Sequence, residues 1–248
     1  MSDGVSVLAV IPARGGSKAL PDKNIRPFMG LPLIAHTILF SKLCPEITRC
    51  IVSTDSSQIA DIATQYGADV PFLRPPELAQ DDSPMWPVLQ HALNYVEQRE
   101  GEHYEMLLLL DPTSPARMPL DVTGALSRLL ECPAANGIVG VSKPDFNPMW
   151  NCVLEQEGWL ADLVEGGSEY SQRQDAPTVF RINGSLYLWH AHFVRTEERF
   201  WRQTGGHLIY EIPELHAMSI DTLLDFQKGE LLVKGGLIDL PWLSSIQE

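Results

Sequence analysis

The sequence predicts an α/β protein built on a mostly parallel sheet, and three observations carry that expectation. Short apolar runs alternate with helix-length periodic patterns through the first two thirds of the chain. Several runs are apolar at successive positions, as in MLLLL at residues 106–110, which fits strands covered on both faces. The loops after these runs hold most of the chemically distinctive residues, the usual place for a ligand in such a sheet.

The elements follow in order. Residues 5–11 read as a buried strand and 32–42 as a helix with proline in its first turn. Residues 49–53 give a second strand. A helix is expected over 56–66, capped by Ser56 and stopped by Gly67. Residues 70–73 suggest a short strand. Residues 84–98 carry apolar side chains at Val88, Leu89, Ala92, Leu93 and Val96, a helical period. A central strand over 106–110, a helix over 119–130 and a strand over 137–141 follow. The pattern then changes. Residues 151–164 read as a hairpin around Gln156-Glu157-Gly158, and 178–189 form another apolar run. Residues 145–177 are expected to leave the sheet as a lid or dimerisation arm on a single domain spanning 1–248. A strand near 208–212 and a helix over 222–234 close the chain.

Composition narrows the function. The chain has 248 residues, 44% of them hydrophobic, and a net charge of −14. Such a surface repels nucleic acid and anionic lipid, so neither is expected as a partner. Cys44, Cys50, Cys132 and Cys152 form no CxxC pair and read as reduced thiols. No apolar run is long enough to cross a bilayer, and MSDG does not begin a signal peptide. A cytoplasmic location is the expectation.

Against this acidity, the loop IPARGGSKALPDKN at residues 11–24 gathers Arg14, Lys18 and Lys23, with Arg26 just beyond. Glycines bring backbone N–H groups close to an anion and the cations supply charge. The loop matches neither GxGxxG nor GxxxxGK[ST]. It reads as a phosphate-binding loop or as a solvated glycine-rich turn. Asp111 ends LLLLD and Asp221 precedes the last helix. Two carboxylates beyond one sheet edge suit Mg²⁺, a hard cation that also takes phosphate oxygens. Asp221 could equally cap its helix, and Asp111 could be a turn residue before Pro112. His190 and His192 lack a third ligand and read as structural. Met85-Trp86 and Met149-Trp150 could line a pocket, with core packing as the default reading. No GxSxG or HExxH occurs.

Taken together, the opening loop, STDSSQIADIATQYGADVPFLRPPELAQDDSP, LLLDPTSPAR, RINGSLYL and SIDTLLDF closely resemble the acylneuraminate cytidylyltransferases, including their legionaminate- and pseudaminate-type relatives. The resemblance spans residues 5–232. It implies a Rossmann-like nucleotide-diphospho-sugar transferase fold, a homodimer, and transfer of CMP from CTP to the anomeric hydroxyl of a 3-deoxy-ulosonic acid. It further implies that Arg14, Ser17, Lys18, Lys23 and Asn24 hold triphosphate and ribose, with Ala13, Gly15 and Gly16 in the same nucleotide-binding loop. Arg74 falls near the base. Arg173, Arg181 and Asn183 fall near the sugar acid or across the dimer, and Asp221 matches a magnesium aspartate.

Three positions depart from the family pattern. Ala19 replaces a glycine, Ser219 replaces the first carboxylate of a DxD-like pair, and Asp111 replaces a glutamine that contacts the sugar acid. A carboxylate at Asp111 repels a carboxylated substrate unless a metal or an arginine lies between them. Asp111 could instead supply the missing metal ligand. These departures keep two alternatives open: a nucleotidyltransferase that takes another NTP or a sugar 1-phosphate, and a non-catalytic nucleotide-binding regulator.

Overall fold

A computed structural model describes residues 4–16, 20–172 and 174–244. Six strands form the main sheet, in the order β10 (His207–Glu211), β6 (Gly137–Ser142), β9 (Arg181–His190), β5 (Met106–Leu109), β1 (Val7–Pro12) and β4 (Arg49–Ser53). β1 lies between β4 and β5, parallel to both. β6 is parallel to β10. One strand, β9, runs antiparallel between β5 and β6. The expected mostly parallel sheet is therefore present.

Alternation along the strands divides the core in two. Val7, Ala9 and Ile11 of β1 face one buried cluster, while Leu8 and Val10 face the other. α1 (Leu33–Lys42), α2 (Ser57–Gln65), α4 (Pro119–Leu130) and α7 (Leu223–Lys234) contribute to the first cluster. α3 (Met85–Glu100) and α6 (Ala191–Thr196) cover the second. Burial on both faces explains why these strands read as continuous apolar runs rather than alternating ones.

Local chemistry sets the boundaries. Ser56 Oγ accepts a hydrogen bond from the Ile59 N–H at 3.3 Å and caps α2, and Gly67 takes φ 76° beyond its end. Pro32 lies just outside α1, not in its first turn, because residues 31–32 are already paired. β2 (Pro27–Phe28) and β3 (Leu31–Pro32) form a small hairpin with Met29 and Gly30 at positive φ. The strand expected at 70–73 is absent, leaving two isolated bridges, Ile51 to Asp69 and Thr54 to Leu73. Pro71 has no N–H to donate to a ladder, and Pro75 follows closely.

After the short helix α5 (Pro148–Asn151), β7 (Val153–Gln156) and β8 (Trp159–Asp162) pair as the predicted hairpin, separate from the main sheet. Glu157 and Gly158 both adopt positive φ at its turn. A last helix, α8 (Pro241–Ser244), packs on α1. Among the described residues no helix is long and apolar enough to cross a membrane.

Candidate active site

A polar cavity of about 240 Å³ opens beyond the carboxyl ends of β1 and β5. Arg14, Lys23, Asn24 and Arg74 line it together with Gln80, Asp81, Asp111 and Thr113. Asn24 is buried and its Nδ2 donates to the Arg14 carbonyl at 3.1 Å, so the two ends of the opening loop are tied together. Lys23 Nζ pairs with Asp221 Oδ1 at 2.8 Å. Arg14 Nη1 pairs with Asp81 Oδ1 at 2.6 Å. Arg74 is buried, donates from Nε to Ser53 Oγ at 3.1 Å, and has its pKa pushed down by burial to about 10. It remains a cation at neutral pH.

The glycine loop behaves only partly as expected. The Gly15 N–H donates to Asp55 Oδ1 at 2.9 Å, so this amide is already occupied by the carboxylate that follows β4. Glycine at this position has a steric reason as well. A Cβ there would sit 3.1 Å from Ser56 Cβ, at the start of α2. Gly16 is exposed. Ala13 is fully buried and its N–H donates to the Ser53 carbonyl at 2.9 Å, which makes it a core residue rather than a cavity wall. Ser17, Lys18, Ala19 and Arg173 lie outside the described residues.

Asp221 does not cap its helix. Thr222 does, in a reciprocal box with Asp225. The Asp221 carboxylate is instead held by Lys23 and by Ser219, whose Oγ donates to Oδ2 at 2.8 Å. Burial pushes its pKa up, but the hydrogen bonds from Lys23 and Ser219 outweigh this and hold the carboxyl below its usual range. Ser219, where the family pattern has a carboxylate, thus orients the remaining one. A backbone hydrogen bond of 2.8 Å from the Ile220 N–H to the Thr113 carbonyl joins this segment to the loop that follows Asp111.

Asp111 combines two roles left open by the sequence. Its Oδ1 accepts from the Thr113 N–H at 3.1 Å and from Thr113 Oγ1 at 2.8 Å, closing an Asx turn. Its carbonyl accepts from the buried Arg117 guanidinium. Asp111 also borders a second cavity, of about 310 Å³, whose wall is aromatic. Trp86, Tyr187, Trp189 and Trp201 form that wall, with Arg202 at its side. Met85 and Asp111 belong to both cavities, so the two adjoin. Met85 is accordingly no simple core residue, and Trp150 is partly exposed rather than packed inside. Burial, reinforced by the charge of Asp111, pushes the Tyr187 phenol up to about 12, so it stays protonated.

Arg181 and Asn183, expected near the sugar acid or across the dimer, have partners within the chain. Arg181 Nε meets both carboxylate oxygens of Glu214, at 3.0 and 3.1 Å. Asn183 is buried, donating to Ser142 Oγ and accepting from the Ser185 N–H, each at 3.0 Å. It stabilises the register shift where β6 meets β9. Neither lines a cavity with Asp111. Of the aromatic wall, sequence reasoning touched only Met85-Trp86, as a possible pocket lining set below core packing, because the other members come from β9 and the 200–202 segment. The run RFWR, with two adjacent aromatics between cations, was a further signal for it.

This geometry can be set beside known proteins. The profile described as Cytidylyltransferase matches residues 8–116. A CMP-N,N'-diacetyllegionaminic acid synthase of Legionella pneumophila is 37% identical over 234 residues, covering 92% of this chain and 96% of that protein. The chain belongs to the acylneuraminate cytidylyltransferase family. A pseudaminic acid cytidylyltransferase of Campylobacter jejuni is 38% identical, covering 92% of this chain and 96% of its own length. Among solved structures, a CMP:2-keto-3-deoxy-manno-octonic acid synthetase complexed with CTP superimposes with a TM-score of 0.69. It covers 93% of this chain and 99% of that one, at 16% sequence identity. That likeness shows the shared nucleotidyltransferase fold.

Proposed function

We propose that the chain transfers CMP from CTP to the anomeric hydroxyl of a sialic-acid-like 3-deoxy-ulosonic acid, with release of pyrophosphate. The observation that carries this reading is the pair of adjoining cavities. One is polar and bordered by Arg14, Lys23 and Arg74, and the other has an aromatic wall. The first suits a triphosphate and the second a substituted sugar ring. Their junction at Asp111 and Met85 is where an acceptor hydroxyl would meet the α-phosphorus. The names of the relatives support the same reaction.

In this reading Arg14 and Lys23 neutralise the phosphates, with Lys18 as a further cation on the same loop. Positioning supplies most of the acceleration, and holding two reactants in line is worth up to roughly 7–11 kcal/mol of barrier. Asp221, with Asp111, would hold Mg²⁺. Among the described residues no group of three or more His, Cys, Asp or Glu is gathered as a metal site. One or two carboxylates are nonetheless the donor set that suits Mg²⁺ shared with substrate phosphates. When bound, the ion would offset charge on the triphosphate. The Lys23–Asp221 pair keeps the carboxylate ionised for such a role.

A homodimer and a cytoplasmic location complete the proposal. The β7–β8 hairpin supports the first, since Trp159 is 79% and Leu160 75% exposed. Four free thiols are compatible with the second.

Pyrophosphate release tests the reaction. Each NTP is offered with N,N'-diacetyllegionaminic, pseudaminic and N-acetylneuraminic acids, and with hexose 1-phosphates. Turnover is expected with CTP and at least one of the acids. Turnover with a sugar phosphate alone would replace this reading by the sugar-phosphate one, and binding of CTP without any turnover would favour a regulator.

A further inference from the structure

Asp111 raises a problem that the fold itself answers. This residue borders the aromatic cavity, where a ulosonic acid must bring a carboxylate of its own. Two like charges in a partly desolvated cavity repel, and the cost grows as water is excluded. An acceptor of this class therefore needs a cation on the same cavity.

Among the described residues, the arginines suggested by family resemblance are committed to other partners. Arg181 is forked onto Glu214, and Arg14 and Arg74 belong to the polar cavity, engaged with Asp81 and Ser53. Arg202 is differently placed. It lies in the 3₁₀ turn Trp201–Gln203, borders the aromatic cavity, and makes no side-chain hydrogen bond or ion pair among the described residues. The adjacent Trp201 is buried and stacks obliquely on Trp189, with ring centroids 5.8 Å apart, which anchors the turn that presents Arg202. Asp111, Tyr187 and Arg202 line the same cavity, and beside the larger effect of burial Asp111 pushes the Tyr187 phenol up while Arg202 draws it down. Arg202 and Asp111 thus act on the same part of the cavity from different segments of chain.

We propose that Arg202 binds the carboxylate of the acceptor, offsets the field of Asp111, and thereby selects for sugar acids at this site. The inference rests on the reaction proposed above and adds a specificity-determining residue to it. An arginine suits the task because its planar fork can take both oxygens of a carboxylate while its stem lies along apolar surface. With the acceptor carboxylate fixed at Arg202, the sugar is held by its acidic end as well as by the aromatic wall.

The test compares native chain, Arg202→Ala and Arg202→Lys in the pyrophosphate assay, with CTP and whichever acid of the panel the native chain converts fastest. The KM for the acid is expected to rise about ten- to a hundredfold in Arg202→Ala, the loss of a charge-assisted hydrogen bond. Arg202→Lys is expected to recover part of it, and the KM for CTP to stay within about threefold in both. A second arm uses the carboxamide analogue of the same acid. Native chain and Arg202→Ala should handle that neutral acceptor alike. An unchanged KM for the acid in Arg202→Ala, or an equal loss with acid and carboxamide, overturns the assignment while leaving the reaction intact. Failure of the native chain with every acid of the panel overturns the reaction itself, and the role of Arg202 with it.

Discussion

Asp221 shows how much one side chain's neighbours decide. Its position before α7 fits a helix cap, yet Thr222 takes that role and leaves the carboxylate to Lys23 and Ser219. We expect Asp221→Asn to lower turnover roughly hundredfold or more. Its melting temperature should change little, because the carboxylate is largely exposed and exposed ion pairs contribute little to stability. Steady-state rates beside a thermal melt check this, and near-native turnover would remove Asp221 from the site. Arg117 behaves differently. It is fully buried, its guanidinium lies 5.5 Å from the Phe40 ring centroid, and among the described residues Nε and Nη1 have no hydrogen-bond partner. Its Nη2 donates to the Asp111 carbonyl, so this costly burial is tied to the loop that joins the two cavities.

At the scale of elements, the helices and parallel strands were legible because their signals are local. Ser56 and Gly67 bound α2, and alternation assigns each face of β1. The exception at 70–73 has a local cause too, in Pro71. What sequence could not supply was the direction of β9, since this strand is also covered on both faces and its run Leu186–Trp189 reads like its parallel neighbours. Its insertion requires close backbone approach. A Cβ on Gly137 would sit 2.6 Å from the Leu188 carbonyl oxygen. The β7–β8 hairpin carries its apolar side chains outward, which sets up a test. The native chain is expected to sediment as a dimer at micromolar concentration, and Trp159→Ser combined with Leu160→Ser to shift it to monomer. A native monomer would end the dimer proposal, and an unaltered dimer in the variant would move the interface elsewhere.

Across the whole molecule, His36 links the first helix to the last. Its Nε2 lies 2.8 Å from the Phe28 carbonyl, and its Nδ1 accepts from the Trp242 indole N–H at 3.0 Å. Indole only donates, so the ring is held in its neutral form with the proton on Nε2. Burial pushes its pKa down to about 4. Between that value and the ordinary 6.5, the unfolded chain binds more protons than the folded one, so stability rises with pH across the window. The contribution is complete above about pH 6.5 and lost on acidification, a change of about 3 kcal/mol at most. Urea unfolding from pH 5 to 7 should show this slope, reduced in His36→Asn. Equal slopes in both would mean that His36 does not control it.

The sequence by itself determined the order of strands and helices, the basic loop after the first strand, and the family, because these are written in periodicity, caps and ordered motifs. Tertiary structure alone decided that Asp55 takes the Gly15 amide, that Glu214 takes Arg181, and that Asp111 looks into two cavities rather than one. The reason is physical. A charge acts on whatever lies within a few ångströms of it, and folding, not chain distance, chooses those neighbours.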